Sequence, residues 1–306
     1  MTATELSPTG SALAEGAAAI KAPPGVLRVA WRMWRTKIGA LIVLFLVLLS
    51  IFGRFIAPYG EREAVGLPFK PSGQTRKPTL FGSAKLGHDV WTRFLYGGGP
   101  ILKSAVLATL LALVGGTIIG LTAAYNRRRL DDVLMRIMDV ILAMPQIITA
   151  LVVIAMFGAT VKLIVLTVGI STIPRIARVV RGAAVSIVER DFVAAAESLG
   201  EPRWRILAFE LLPNVAAPLL VEATLRLTFS IGVISGIAFL GFTPDLGAAN
   251  WGLMINENRQ GFNGGVQPWG VILPVVAIAL LTIGTGLMGD GLSRAAAGID
   301  RNKGDA

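Results

Sequence analysis

Three ionisable side chains lie inside stretches that are otherwise apolar: Asp139, Glu222 and Arg226. Glu222 precedes Arg226 by four residues, the favoured order for a helical ion pair. Charges within a membrane-spanning helix pair with each other or line a water-filled path. Glu222 and Arg226 can therefore be a mutual structural pair or part of a translocation path. Asp139 has the same two options, pairing with Arg136 three residues before it or facing a cavity. Asp131 and Asp132 are adjacent, so a helix turns them about 100° apart and they do not share a face; a solvated helix start is the simpler role for them. Asp290 stands near the C-terminal end of the last apolar run. Together these aspartates define an alternative function, an intramembrane enzyme acting on lipid or peptide. His88 is the only histidine and lies in a polar stretch, where an exposed residue without a special role is expected.

Other chemistries lack their parts. The chain has no cysteine, which removes disulfides, thiolate metal sites and cysteine nucleophiles. It has no G-x-x-x-x-G-K-[ST], H-E-x-x-H or G-x-S-x-G pattern. No catalytic, cofactor-binding or metal-ligating residue is expected on it.

The elements that must position these side chains are membrane spans. Of 306 residues 54% are hydrophobic, and the mean hydropathy is +0.67. The apolar residues are gathered into long runs, the signature of membrane helices. The first run, Ile38 to Gly53, is read as an uncleaved span, because it starts too late and is too long for a signal peptide. Residues 57–99 form a polar loop with a short amphipathic element near Val90 to Leu95. Spans follow at Ser104 to Tyr125, at Ile137 to Phe157 with a kink at Pro145, around Leu163 to Pro174, at Val215 to Phe242 and at Val271 to Gly289. Gly116 with Gly120, and Gly232 with Gly236, have the spacing of close helix contacts.

The fold class is thus an all-α membrane protein with six transmembrane helices. Residues 1–27 are expected to be a disordered tail. Residues 28–99 hold the first span and an extracytoplasmic loop, 100–300 a core of five spans, and 301–306 a second tail. The net charge of +10 raises the question of nucleic acid. The basic residues flank the apolar runs, however, so membrane topology explains them better and no nucleic-acid partner is expected. Six spans place both termini on one side. That side carries 18 of the 29 basic residues against 10 on the other, with Arg226 inside a span. The bias assigns both termini to the cytoplasm; Arg127 to Arg129 are read as anchors of that topology.

Between the fourth and fifth spans lies a polar insertion, residues 182–214. Its centre, DFVAAAESLGEPRW at 191–204, has a small apolar face from Ala194, Ala195, Ala196 and Leu199, with charges at Asp191, Glu197 and Glu201. Gly200 permits a tight turn and Pro202 suits the start of a second helix. Trp204, Ile206 and Leu207 give that helix an apolar side. This area either packs back on the spans or is covered by another protein.

The stretch AAAESLGEPRWRILAFELLPN resembles the cytoplasmic EAA loop of ABC-importer permeases, E-A-A-x3-G-x9-I-x-L-P. Ala195, Ala196, Gly200, Leu212 and Pro213 fit; Ala194 stands where the family has Glu, and Glu210 where it has an apolar residue. FGSAKLGHDVWTRFLYGGG is similar to the motif of C-type permeases of the dipeptide/oligopeptide/nickel class through Gly82, Gly87, Asp89, Val90, Arg93, Tyr96 and Gly97. Ser83-Ala84 and His88 depart from it. LDDVLMRIMDVILAMP, ARVVRG, AFLGF, NWGLMINENR and GDGLSRAAAGID follow in the order of that class, so the likeness covers residues 28 to 300.

The resemblance implies type I ABC importer permease architecture, with residues 191–204 as the coupling helix. Asp191, Ala195, Ala196, Glu197, Gly200, Trp204, Leu212 and Pro213 would meet an ATPase, and Glu197 is the first candidate to hold the loop in place of the missing Glu. It implies as partners a second, B-type permease subunit, two ABC ATPase subunits carrying ATP and Mg, an extracytoplasmic solute-binding protein and the lipid bilayer. It implies residence in a bacterial cell membrane as a multi-pass protein that imports peptides or similar small solutes.

Overall fold

The structure is a computed structural model that describes residues 26–126 and 129–298. The tail segments 1–25 and 299–306, with Arg127 and Arg128, lie outside the described residues. The helices are α1 (Val26–Arg32), α2 (Trp34–Ile56), α3 (Val90–Tyr125), α4 (Arg129–Ala143), α5 (Gln146–Phe157), α6 (Val161–Val188), α7 (Asp191–Ser198), α8 (Ala216–Phe239), α9 (Trp251–Asn263) and α10 (Trp269–Ala296). Among the described residues there is no strand, only two isolated bridges, Ala64 with His88 and Ser83 with Asp89.

Five helices, α2, α3, α6, α8 and α10, are long and apolar enough to cross a membrane, and α4 with α5 makes six if the pair is one span. This pair differs from the simple kink expected at Pro145. The two helices meet at 80°, because Pro145 begins α5 as its N-cap instead of sitting inside a continuous helix.

Two other boundaries also differ. The amphipathic element at Val90 and the span at Ser104 are one 36-residue helix, α3. Asp89 caps it, its carboxylate accepting from the Thr92 amide at 2.8 Å. Pro100 lies inside without ending it, as membrane helices tolerate when neighbours compensate. The second is α6, which continues through Pro174 to Val188, so the polar connection starts later than position 182. The loop 243–269 contains α9, whose N-cap Asn250 accepts from the Gly252 amide at 3.0 Å.

The most extensive helix contact joins α3 to α6. The two run parallel, with Ala108, Gly116 and Gly120 facing Gly169, Ile176 and Val180 in the same order. A Cβ at Gly116 would come within 2.6 Å of the Ile176 Cβ, and one at Gly120 within 2.6 Å of the Ala177 carbonyl oxygen. Lipid supplies no hydrophobic drive between helices, so such close backbone approach is what holds them. A Cβ at Gly232 or Gly236 would meet nothing within 4 Å, so neither glycine sits at a close helix contact among the described residues.

The core has two main layers. At one end Phe94, Leu95, Ile101, Trp251, Met254 and Leu281 are buried together. At the other, Leu121, Ile176, Val180, Ile206, Leu211 and Val215 are. The helix order places α1, the start of α4, α7 and the end of α10 at this second end. The segments 57–89 and 240–268 cap the first.

Replacing Gly120 by Val should cost about 1–3 kcal/mol, the usual range for overpacking. A thermal melt of the purified protein in detergent checks this; a melting temperature equal to wild type would mean that the α3–α6 contact is looser than described.

Candidate functional site

Between α6 and α8 the chain makes a compact polar structure. α7 ends at Ser198 with Leu199 as its C-cap, and Gly200 follows with φ +75°. The Gly200 amide donates to the Glu197 carbonyl at 3.0 Å and the Glu201 amide to the Ala196 carbonyl at 3.1 Å. This is the Schellman arrangement that closes a helix and satisfies its last carbonyls. Pro202 then caps a short helical turn, Arg203–Arg205. The next turn, Ile206–Leu211, is a π-helix, and it runs into Leu212–Asn214. The wider π turn accommodates Pro213, which cannot donate a backbone hydrogen bond and would crowd an α turn. The Asn214 side-chain amide donates to the Glu210 carbonyl at 2.6 Å.

One side of this segment is fixed to the spans. Val193, Ile206, Leu211 and Val215 are buried against Ala112, Leu121 and Ala124 of α3 and Ile176, Val180 and Ala184 of α6. Full burial of a side chain of this size contributes about 1.5–3 kcal/mol. The other side is open. Leu199 is 83% exposed, Trp204 64% and Phe209 63%. The Trp204 and Phe209 rings meet edge to face at 6.3 Å. A cleft of about 450 Å³ lies among Ala195, Ala196, Leu199, Arg205, Phe209 and Glu210. Packing back on the spans is therefore realised on one face, and the opposite face is left open.

The sequence-derived residues distribute as follows. Asp191 occupies the first turn of α7 and is exposed. Ala195 and Ala196 line the cleft, and Glu197 faces the Tyr125 hydroxyl at the end of α3. Gly200 makes the turn, and Trp204 stands on the open face. Leu212 packs against the buried cluster, whereas Pro213 is exposed. Phe209 and Arg205, which pattern did not single out, complete the cleft; a hydrophobic residue five positions after Trp204 gave no signal until the π turn brought it alongside.

The spans carry the second group. Arg226 donates to Glu222 at 2.7 Å, both side chains being nearly buried. The guanidinium also lies over the Phe229 ring at 5.6 Å. Asp139 pairs with Arg178 of α6, not with Arg136. Arg136 sits on its own helix, while α6 packs alongside α4 and presents Arg178 to it. No ion pair among the described residues joins Asp139 to Glu222 or Arg226. Asp131 accepts from Arg181, Nε to Oδ1 at 2.5 Å. Asp290 accepts from Arg35 at 2.7 Å and from Arg294 at 3.3 Å.

At the opposite end Arg93 organises the cap. Its side chain is 1% exposed. It donates to Glu257 at 3.2 Å, to the Gly247 carbonyl at 3.2 Å and to the Ala248 carbonyl at 3.4 Å. It also donates to His88 Nδ1 at 3.0 Å. Arginine only donates, so His88 must accept there and carry its proton on Nε2. His88 is thus half-buried and engaged, unlike the free exposed residue expected from sequence: the antiparallel bridge to Ala64 folds its loop onto α3. Burial, and then the Arg93 charge, hold the imidazole below its ordinary 6.5. Burial pushes the Glu257 carboxyl up, with Arg93 opposing. Trp251 donates to the Phe94 carbonyl at 2.8 Å, and the Ala249 amide to Glu61 at 2.6 Å.

Among the described residues no group of three or more histidines and acids could hold a metal ion. The α7 segment is buried on one side and open on the other.

Residues 116–297 match the family described as binding-protein-dependent transport system inner membrane component. The chain is 32% identical over 283 residues to the peptide transport system permease protein SapC of Escherichia coli O6:H1, covering 90% of this chain and 95% of that protein. It is 31% identical over 258 residues to the dipeptide transport system permease protein DppC of Alkalihalophilus pseudofirmus, covering 83% of each. It is 35% identical over 259 residues to a putative peptide transport system permease protein of Brucella suis, covering 84% of this chain and 85% of that one.

Two measurements test this geometry. Gly200→Ala should destabilise the α7 turn by about 1–2 kcal/mol, the cost of a Cβ in the left-handed region. Gly200→Asn should recover most of it. Hydrogen exchange at the Glu201 amide reads the difference, and equal protection in all three proteins would refute it. At the cap, a histidine with a depressed folded pKa stabilises the fold above its unfolded value and loses that contribution as pH falls. The protection factors of the Gly247 and Ala248 amides, taken against the intrinsic exchange rate at each pH, should therefore fall on acidification below 6.5. His88→Gln should flatten this dependence; Glu257 acts in the opposite sense, above its ordinary 4.5.

Proposed function

Because this chain belongs to the family of binding-protein-dependent transport system inner membrane components, we propose that it is a transmembrane permease subunit of an ATP-driven importer of peptides or similar small solutes. Its relatives are named as peptide transport permeases, and its helices make it a multi-pass protein of the bacterial inner membrane. The observation that carries the reading is the two-faced α7 segment, anchored by buried side chains on α3 and α6 and open around Leu199, Trp204 and Phe209.

In this reading two ABC ATPase subunits bind ATP and Mg, and one of them seats α7 in a groove. Asp191, Ala195, Ala196, Gly200 and Trp204 supply the contact, while Glu197, Leu212 and Pro213 shape the segment from behind. Closure of the ATPases pushes on α7. Its buried anchor passes the push to α3 and α6 as a rigid-body movement, which switches access from one side of the membrane to the other. A second, B-type permease subunit completes the pathway, and a solute-binding protein delivers cargo to the cap. The α7 end and both termini face the cytoplasm, in keeping with the excess of basic residues there. Glu222 and Arg226, with Asp139, are the polar residues assigned to the path.

The alternative of an intramembrane enzyme finds no support. Asp131 and Asp139, two turns apart on α4, are each engaged by an arginine of α6, and Asp290 of α10 by Arg35 of α2, so the three do not converge on one site.

Trp204→Ala should weaken ATPase binding by about thirty-fold, the effect of losing an aromatic anchor worth about 2 kcal/mol. Membrane insertion should be normal and uptake reduced in parallel. Wild-type copurification of the ATPases and wild-type uptake from Gly200→Glu and Trp204→Ala variants would overturn the docking role.

A further inference from the structure

We infer that α1 forms a binding site for anionic phospholipid headgroups, built from Arg28, Arg32, Leu27 and Trp31. The helix has two distinct faces. Val26, Val29, Ala30 and Met33 pack on Leu292 and Ala295 of α10 and on Val221 of α8. The opposite face carries Leu27 and Trp31 in one i, i+4 row and Arg28 and Arg32 in the next, all exposed. These four line an open depression of about 480 Å³.

Three observations select the occupant. The first is continuity. Met33 breaks the helix with an extended backbone, φ −73° and ψ 133°, and α2 then starts with exposed Trp34 and continues into Leu41, Leu44 and Phe45, also exposed. That stripe of α2 faces acyl chains, so α1 lies at the edge of the same bilayer, at the depth where tryptophan is favoured. The second is charge. Arg35, one turn beyond Trp31, is bound to Asp290 at 2.7 Å. Arg28 and Arg32 have no acidic partner among the described residues. The third is anchoring: the packed face fixes the helix, so presenting its arginines costs no further backbone ordering. Two guanidiniums beside an indole and a leucine suit a phosphodiester headgroup with its glycerol and upper acyl carbons. A soluble anion would use only the arginines. This inference rests on the chain spanning a bilayer and is independent of the solute carried.

The test uses the assembled transporter in neutral detergent, titrated with phosphatidylglycerol or phosphatidylcholine, and counts retained lipid by native mass spectrometry. Each basic residue at an anionic surface contributes about fivefold, so Arg28→Gln/Arg32→Gln should bind phosphatidylglycerol about thirty-fold more weakly. Phosphatidylcholine retention should be unchanged. Lys162→Gln, at the other end of the bundle, should behave as wild type. Equal phosphatidylglycerol binding by wild type and the double variant would overturn the site. So would displacement of the lipid by millimolar inorganic phosphate, which would indicate a simple anion site. A rise in phosphatidylglycerol binding on deletion of residues 1–25 would also overturn it, by showing that the chain's own tail covers the depression. If the double variant fails to assemble, brominated phosphatidylglycerol decides: it should quench wild-type tryptophan fluorescence more than brominated phosphatidylcholine does. Trp31→Phe should remove the difference, and no difference in wild type would refute the inference.

Discussion

The structure depends on the parallel contact of α3 with α6. Inside lipid these helices gain nothing from leaving an apolar solvent, so they are held by close fit. Gly116 and Gly120 let the α3 backbone approach Ile176, Ala177 and Val180 of α6 more closely than any larger residue would allow. The pair forms one packed body with the loop cap at one end and the α7 segment at the other. Arg93, in the first turn of α3, gathers the loops of the cap. At the far end Leu121 and Ala124 of α3 and Ile187 of α6 seat the α7 segment. In the proposed docking role, a load on α7 would be applied to this platform and not to a loose loop.

The charges follow the same architecture. Exposed pairs, Asp139 with Arg178 and Asp290 with Arg35, sit where helices emerge at the α7 end. Pairs of this kind are individually weak; they orient neighbouring helices more than they stabilise them. Two charge clusters are buried. Glu222 and Arg226 neutralise each other within α8, and Arg93 spends its donors on Glu257, His88 and two carbonyls. Removing one partner from either cluster would strand a buried charge, which is far more costly than the pair is favourable. These clusters are therefore the least replaceable polar features of the chain.

Much of the fold could be read from the chain. Long uncharged runs announce spans because every backbone group must be bonded within the helix once water is absent. The turn at Gly200 and the short helix before it were legible because a left-handed residue and a capping proline are local requirements. Other features were hidden. The polar loop expected to run to residue 99 ends instead at α3, which passes through Pro100 while Trp251 and α2 pack around Gly97 and Gly98. Pro145 reads as a kink and is a break. Asp139 has an arginine three residues away, but its partner is Arg178, 39 residues on.

The sequence by itself determined the class of the protein, the position of its apolar runs, the side-to-side charge bias and the motif of the segment between α6 and α8. Each of these depends on local composition or on spacing of a few residues. The tertiary structure decided which charges meet, which glycine pair is a contact, and which face of the α7 segment is anchored and which is open. Those outcomes follow from how separate helices are placed side by side. A residue's own neighbours in the chain do not contain that information, because the competing partners lie on different helices and only packing selects among them.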